Sequence, residues 1–398
     1  MPRPKPLIRQ YMSIRRWRWM LSHAVLNRTP ALAQELNFHG AGVYPSDVAE
    51  TIIEDEGLTV RAGFSAAQRA MVRDHCRFAD ADSAYPDSTG IGTFVIRSQI
   101  VRDVEILGHS GAVAVPRMRA LIWPGAGRPS WNLAKPRRLT PVAGPAGRVV
   151  ALGAVAHYFH FLMNDILPLI DYLDRLHPSG ETLTIIVPGE PPGFASLTLA
   201  ALEATFANVR VLPLAPDQKM PVDELVVLER RTANREWFLW DGGVAERLKQ
   251  ILLAHLGPVN AVPGPRLFVS RGDARIRRLV NEDELLRIAE TCGFQPFIPQ
   301  ATNFAQQVAG FDRAEAVVST HGAALTNLMW CRPGVHALEL FPANFVKSSY
   351  LWIADRMEGH HHALIGSHGD PLLGFRVEPE RFARALDAML ESGARGAA

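Results

Sequence analysis

The residues best equipped for chemistry gather late in the chain. A short apolar run, Ala316 to Val318, stops at Ser319-Thr320-His321-Gly322, and a small-residue helix begins at Ala323. A second buried run follows from Val335 to Phe341, so the pattern is strand, glycine turn, helix, strand. Such a turn lies at the carboxyl end of a parallel strand, where open α/β sheets bind ligands. Gly322 has no Cβ, so a ligand can approach the backbone, and the free N–H groups of the first turn, near Ala323, Ala324 and Leu325, favour an anion. His321 adds a donor for a phosphate oxygen, and Thr326 and Asn327 lie within the next turn.

Four arginines, Arg271, Arg275, Arg277 and Arg278, follow the apolar stretch RLFVS and precede a helix whose start is signalled by Asn281 and a capping-box partner, Glu284. Guanidinium groups bind phosphate with paired donors, although a charge run of this kind is also what a solvated loop looks like. Arg271 is the one fixed by the strand. Glu339 sits late in the strand HALELF, where burial without a partner is costly. It either accepts from a ribose hydroxyl or pairs with an arginine such as Arg271 or Arg332.

Further upstream, a helix predicted from His157 to Leu176 places Phe159, Leu162, Met163, Ile166, Leu169, Ile170 and Leu173 on one face. His157, His160, Asn164 and Asp171 fall on the opposite face, which is either solvated, capping a neighbouring strand, or functional. Two further patterns carry little chemistry. Asp80-Ala81-Asp82 is a D-x-D that could hold a divalent cation, but it sits in a polar loop and reads as a turn. His360-His361-His362 reads as a strand start, because adjacent strand residues point to opposite faces and cannot all ligate one ion.

The elements that must position these groups are α/β. From Arg148 strands alternate with helices, RVVALGAV, TLTIIVP, VRVLPL and ELVVLE being the strands, which argues for a parallel doubly wound sheet. No G-x-G-x-x-G follows the first of them, against a dinucleotide site. Asn234 to Gly243 reads as a hinge, and a second α/β series starts after GPVNAVPGP. Between Thr93 and Trp123, FVIRSQI, VEIL and AVAV suggest short strands and hairpins, and a helix is expected at Ser65 to Arg77. The division that follows is a basic arm at 1–35, a first domain at 36–243 with its α/β core from about 148, a second at 244–378, and a terminal helix at 379–398.

At 398 residues the chain is too long for one ordinary core, and its net charge of +2 gives no argument for nucleic acid. Arg3, Lys5, Arg9, Arg15, Arg16, Arg18 and Arg28 nevertheless precede the first acidic residue, Glu35, with Trp17, Trp19, Met20 and Leu21 among them. Such a segment can lie on an anionic membrane surface or serve as a simple arm. No apolar run reaches the roughly 20 residues of a membrane span, and WMLSHAVL fits a secretory signal poorly. The three cysteines, Cys76, Cys292 and Cys331, form neither a disulfide framework nor a metal spacing, which suits a reducing cytoplasm.

Three blocks together, HYFHFLMNDILPLI (His157 to Ile170), VSRGDARIRRLVNEDEL (Val269 to Leu285) and HGAALTNLMWCRPGVHALELFP (His321 to Pro342), resemble glycosyltransferase family 61, of bacterial type. The resemblance implies two Rossmann-like domains in the GT-B arrangement, after an N-terminal extension with short strands, and a terminal helix packing back on the first domain. It implies an inverting transfer of a hexosyl or pentosyl group from a nucleotide-sugar, with UDP as the expected carrier. The acceptor is a carbohydrate, such as a growing surface polysaccharide, and no metal or other cofactor is required. His160, and after it Asp165, match a block that lines the cleft, and either can take the acceptor proton. Arg271, Arg278, Asn281, His321, Gly322, Ala323, Ala324, Asn327 and Glu339 are the expected donor-binding residues. The localisation that follows is cytoplasmic, with the basic arm at the inner membrane surface; the oligomeric state stays open. Two rivals keep the same fold: a non-catalytic nucleotide- or carbohydrate-binding protein, and a nucleotide-sugar epimerase.

Overall fold

The computed structural model describes residues 94–109, 111–118, 120–122, 138–153, 155–232, 242–259, 264–272, 274–347 and 349–396, and before residue 94 only residues 18, 21–22, 25–26, 34–36, 53–55 and 60–62. Most of the basic arm, the helix expected at Ser65 to Arg77, the D-x-D and most of the expected hinge lie outside the described residues. The chain forms two compact units, built mainly on Phe94–Trp237 and Phe238–Ala398. Each is a sheet with helices, so the α/β class holds.

The first unit carries an 11-stranded mixed sheet. Its strands are β1 (Gln34–Leu36), β2 (Ile53–Asp55), β3 (Val60–Ala62), β4 (Phe94–Leu107), β5 (Val113–Val115), β6 (Ala120–Ile122), β7 (Thr140–Pro141), β8 (Arg148–Ala151), β9 (Leu183–Pro188), β10 (Val209–Leu214) and β11 (Gln218–Thr232). The path is β1-β6-β5-β4-β11-β8-β9-β10, with β2 and β3 on β4 and β7 on β11. The parallel sheet expected here is therefore only part of it. β8, β9 and β10 are parallel, as is the β8–β11 pair, but β11 runs antiparallel to β4 along nearly the whole of both. FVIRSQI and VEIL are one strand, and ELVVLE is the middle of a longer one. The polar residues that look like breaks are cross-strand ion pairs, Arg102 with Glu224 and Lys219 with Glu105 at 2.8 Å. Beneath them Val101, Val104, Ile106, Val149, Ala151, Leu225 and Val227 form the core.

One helix of this unit departs from regular geometry. Tyr158–His160 and Leu167–Arg175 are α-helical, but Phe161–Ile166 between them is a π-helix, in which the Leu167 N–H reaches back five residues to Leu162 O. Pro168 explains the widening. It has no N–H to offer the carbonyl of Asn164, and its ring crowds that carbonyl. A 3.6-residue wheel therefore fails here, and every side chain from Phe161 to Tyr172 is buried, Asn164 and Asp171 included.

The second unit holds five parallel strands, β12 (Arg266–Val269), β13 (Gln295–Phe297), β14 (Ala316–Thr320), β15 (His336–Phe341) and β16 (His360–Ile365), in the order β13-β12-β14-β15-β16. β14 and β15 are buried along their whole length, as strands covered on both faces must be. The chain builds outward in opposite directions from β12 and β14, so a crevice is expected outside their carboxyl ends. Helices Glu282–Thr291, Phe304–Asp312 and Ser349–Arg356 connect the strands. The terminal helix, Pro379–Gly396, contributes Phe382, Leu386 and Met389 to this unit's own core with Phe268, Leu285 and Leu338.

Candidate functional site

The carboxyl ends of β12 and β14 deliver Arg271 and His321-Gly322 to one place. Nη1 of Arg271 donates to the His321 carbonyl at 2.6 Å. The guanidinium lies so close over the turn that a Cβ on Gly322 would stand 2.3 Å from Nη1 and 2.4 Å from Cζ. Any side chain there would displace the guanidinium, although the backbone itself, at φ 175°, is extended and unstrained. Glu282 holds the other side of Arg271: one carboxylate oxygen accepts from the Ser270 hydroxyl, the other from the Arg271 N–H at 3.3 Å.

Beyond Gly322 the chain forms a 3-10 helix, Ala323–Trp330, not an α-helix, and its first donor is Leu325 N–H to Gly322 O at 2.9 Å. Ala323, exposed, and Ala324, half-buried, precede that donor, so their N–H groups are the ones left for a ligand. Asn327 is not. It is fully buried, accepts from Trp330 Nε1 at 3.0 Å and donates to Gln307 at 3.3 Å.

His321 is fixed by a carboxylate. Its Nδ1 lies 2.5 Å from Glu339 Oε1, and the other oxygen of Glu339 meets His361 Nε2 at 2.7 Å. The alternatives of a ribose contact or an arginine partner for Glu339 therefore give way to a buried His–Glu–His chain, Glu339 being 1% exposed. Arg332 pairs with Asp312 instead. Strand alternation accounts for His361: it lies opposite Ala337, two residues before Glu339 on the same face, whereas His360 and His362 contact His336 on the other. Burial pushes His361 down to about 4 and lowers His321 as well, against the pull of Glu339. Burial also raises Glu339, opposed by His321 and Arg277. Two neutral imidazoles each donating to an ionised carboxylate satisfy both of its oxygens, and that leaves Nε2 of His321 with a lone pair. Phe341, Phe345 and Tyr350 surround the ring at 5.3, 5.5 and 5.0 Å between centroids.

The other expected ligands of this unit are placed differently. Arg278 is exposed, and its carbonyl accepts from Phe375 N–H at 3.0 Å. Asn281 forms no capping box; it is buried and exchanges hydrogen bonds with Val377, Nδ2 to O at 2.9 Å and N–H to Oδ1 at 3.2 Å. The capping box of this unit belongs to Asn303 and Gln306. Arg277 is the residue the spacing did not single out: its guanidinium lies 5.2 Å from the Phe345 ring, beside the His321 group.

In the first unit, His160 is half-buried and Nδ2 of Asn164 donates to its Nδ1 at 3.1 Å. The proton of the neutral ring then sits on Nε2, which donates; the expected base role would need that amide reversed. Burial, with His157 nearby, lowers its pKa. Asp165 is buried and accepts from the Gly153 N–H at 3.2 Å.

No group of three or more metal-ligating side chains that could hold an ion occurs among the described residues. No described helix is long and apolar enough to cross a membrane. No curated protein matches the chain. Residues 158–338 match the family model for Glycosyltransferase 61, a span that takes in His160, the arginine block and the Gly322 turn and stops one residue before Glu339. Over those residues the chain is similar to the glycosyltransferase 61 family, which suggests a glycosyltransferase.

Proposed function

We propose that the protein is a GT-B glycosyltransferase of bacterial type that moves a hexosyl or pentosyl group, with inversion, from a UDP-sugar to a carbohydrate acceptor such as a surface polysaccharide. The observation that carries the donor site is the Arg271 guanidinium seated on Gly322 at the strand ends of a doubly wound sheet. A cation at that point, with the Ala323 and Ala324 N–H groups beside it, suits a diphosphate that gains charge as the glycosidic bond breaks. The same arginine chemistry would let the transfer run without a divalent ion. His160 belongs to the acceptor side in this reading, where its Nε2–H can hold a sugar hydroxyl or, with the Asn164 amide reversed, take its proton. The reaction is placed in the cytoplasm, with the basic arm at the inner membrane surface.

Incubation with a panel of nucleotide-sugars, with and without oligosaccharide acceptors, tests this directly. Acceptor-dependent release of nucleoside diphosphate that survives EDTA is expected. Binding without release would favour a non-catalytic protein, and acceptor-free interconversion of donors an epimerase.

A further inference from the structure

The backbone of the loop after Arg271 is strained at one arginine. Arg277 has φ 61°, a left-handed conformation that a long side chain rarely adopts. The loop is tied to a distant segment at this residue and just after it: Arg277 N–H donates to Leu372 O at 2.9 Å, Phe375 N–H to Arg278 O at 3.0 Å, and Val280 N–H to Phe375 O at 2.8 Å. Strain that persists because its surroundings over-determine it is a pointer to function. What the conformation achieves is the placement of the guanidinium. It stacks over Phe345, whose ring also contacts His321, and its charge acts on His321, Glu339 and Tyr350, as that of Arg271 does on His321 and Tyr350. Its Nε is buried with no hydrogen-bond partner among the described residues, and so is the hydroxyl of Thr320, the residue before His321. A donor left unpaired beside a second arginine is a costly arrangement unless an anion completes it.

We propose that Arg277, and not Arg278, is the second arginine of the diphosphate site, held there by a strained backbone that ligand binding justifies. The proposal rests on the nucleotide-sugar reading above but names its own ligand chemistry, a pyrophosphate group gripped by Arg271 and Arg277. Exposed Arg278 lies on the neighbouring residue and is tied to Phe375 only through its backbone.

The test uses the full chain with UDP, inorganic pyrophosphate and uridine as probes, read by melting temperature and titration calorimetry. UDP and pyrophosphate are expected to stabilise the parent, uridine far less. Arg277→Gly should bind both phosphate probes about 10- to 100-fold more weakly, the loss of one charged contact. Its ligand-free melting temperature should rise by about 2–4 °C, because glycine accepts a left-handed backbone freely. A residue that merely braced the loop would instead lower it. Arg277→Lys, keeping the charge without the fork, should recover part of the affinity. Parental pyrophosphate affinity in Arg277→Gly, or a loss in Arg278→Ala as large, overturns the proposal. Pyrophosphate binding that depends on Arg277 while no nucleotide binds would keep the anion site and sink the nucleotide-sugar reading. A parent that responds to neither phosphate probe sinks both.

Discussion

Replacing Gly322 by alanine adds one methyl group, and the structure says what it meets. The new Cβ would stand 2.3 Å from Nη1, 2.4 Å from Cζ and 2.7 Å from Nε of Arg271. Ordinary contact begins near 3.5 Å, so a rigid planar group is overlapped by about 1 Å on three atoms and must leave as a unit. The backbone itself tolerates alanine, being extended. The loss is therefore the hydrogen bond from Nη1 to His321 O, at 2.6 Å. A bond of that type contributes about 1.5–3 kcal/mol, and the lower end applies because a half-buried guanidinium regains water on release. Urea unfolding of Gly322→Ala should thus show a destabilisation of about 1.5 kcal/mol, and the stabilisation by UDP should shrink because Arg271 is displaced.

A double-mutant cycle decides whether the guanidinium is the cause. In an Arg271→Ala background the methyl group has nothing to displace, so Gly322→Ala should cost almost nothing there, leaving a coupling of about 1.5 kcal/mol. Equal destabilisation in the two backgrounds would refute the reasoning and place the requirement for glycine in the backbone instead.

Glu339→Ala leaves two buried imidazole N–H groups without an acceptor and should destabilise by about 2–6 kcal/mol, at about 1–3 for each stranded donor, read by urea unfolding at pH 7. His361, at about 4 when folded and about 6.5 when unfolded, contributes stability that is full above pH 6.5 and lost as pH falls towards 4, since the unfolded chain takes its proton first. His361→Gln keeps a donor to Glu339 without the titration, so its stability should fall less than the parent's between pH 7 and 5; Glu339, whose pKa is raised, works in the opposite sense in both. Asn281→Ala should cost about 2–3 kcal/mol by unbinding Val377, with UDP affinity intact by calorimetry, and a matching loss of affinity would return Asn281 to the site. His160→Ala should lower kcat by roughly 10²-fold while the UDP-dependent melting shift stays parental, and unaltered turnover would remove it from the acceptor side.

What could be read from the sequence was local, and what could not depended on distant residues. The strand, glycine and helix start around Gly322 are recognisable from ten consecutive residues, and Arg271 follows from being fixed by β12. The choice between Arg277 and Arg278 does not, because it is made by Leu372 and Phe375, roughly 95 residues later, through the bonds that force φ 61°. Asn281 and Asn327 have the right types in the right places, but Val377 and Trp330 use their amides. A 3.6-residue wheel on the His157 helix needs a constant pitch, and Pro168 removes it. The signal was present in that case, since a proline inside a helical pattern marks a change of geometry. β4 and β11 run on through charged residues whose partners sit more than a hundred positions away, which no local pattern shows.

The buried carboxylate changes what His321 can recognise. With Nδ1–H committed to Glu339, neutral His321 presents a lone pair at Nε2, and a lone pair repels a phosphate oxygen while it welcomes a hydroxyl. In the proposed site the phosphate would therefore fall to Arg271, Arg277 and the Ala323 and Ala324 N–H groups, leaving the imidazole for a hydroxyl on the sugar or the ribose. Burial and the two arginines hold its pKa down, so this division of labour survives below the ordinary histidine range. Glu339 is held in the core by the donors of His321 and His361, and the charge of Arg277 also favours its ionised form. The group that makes the turn an acceptor for hydroxyls and the group that makes its rim cationic are thus electrostatic partners.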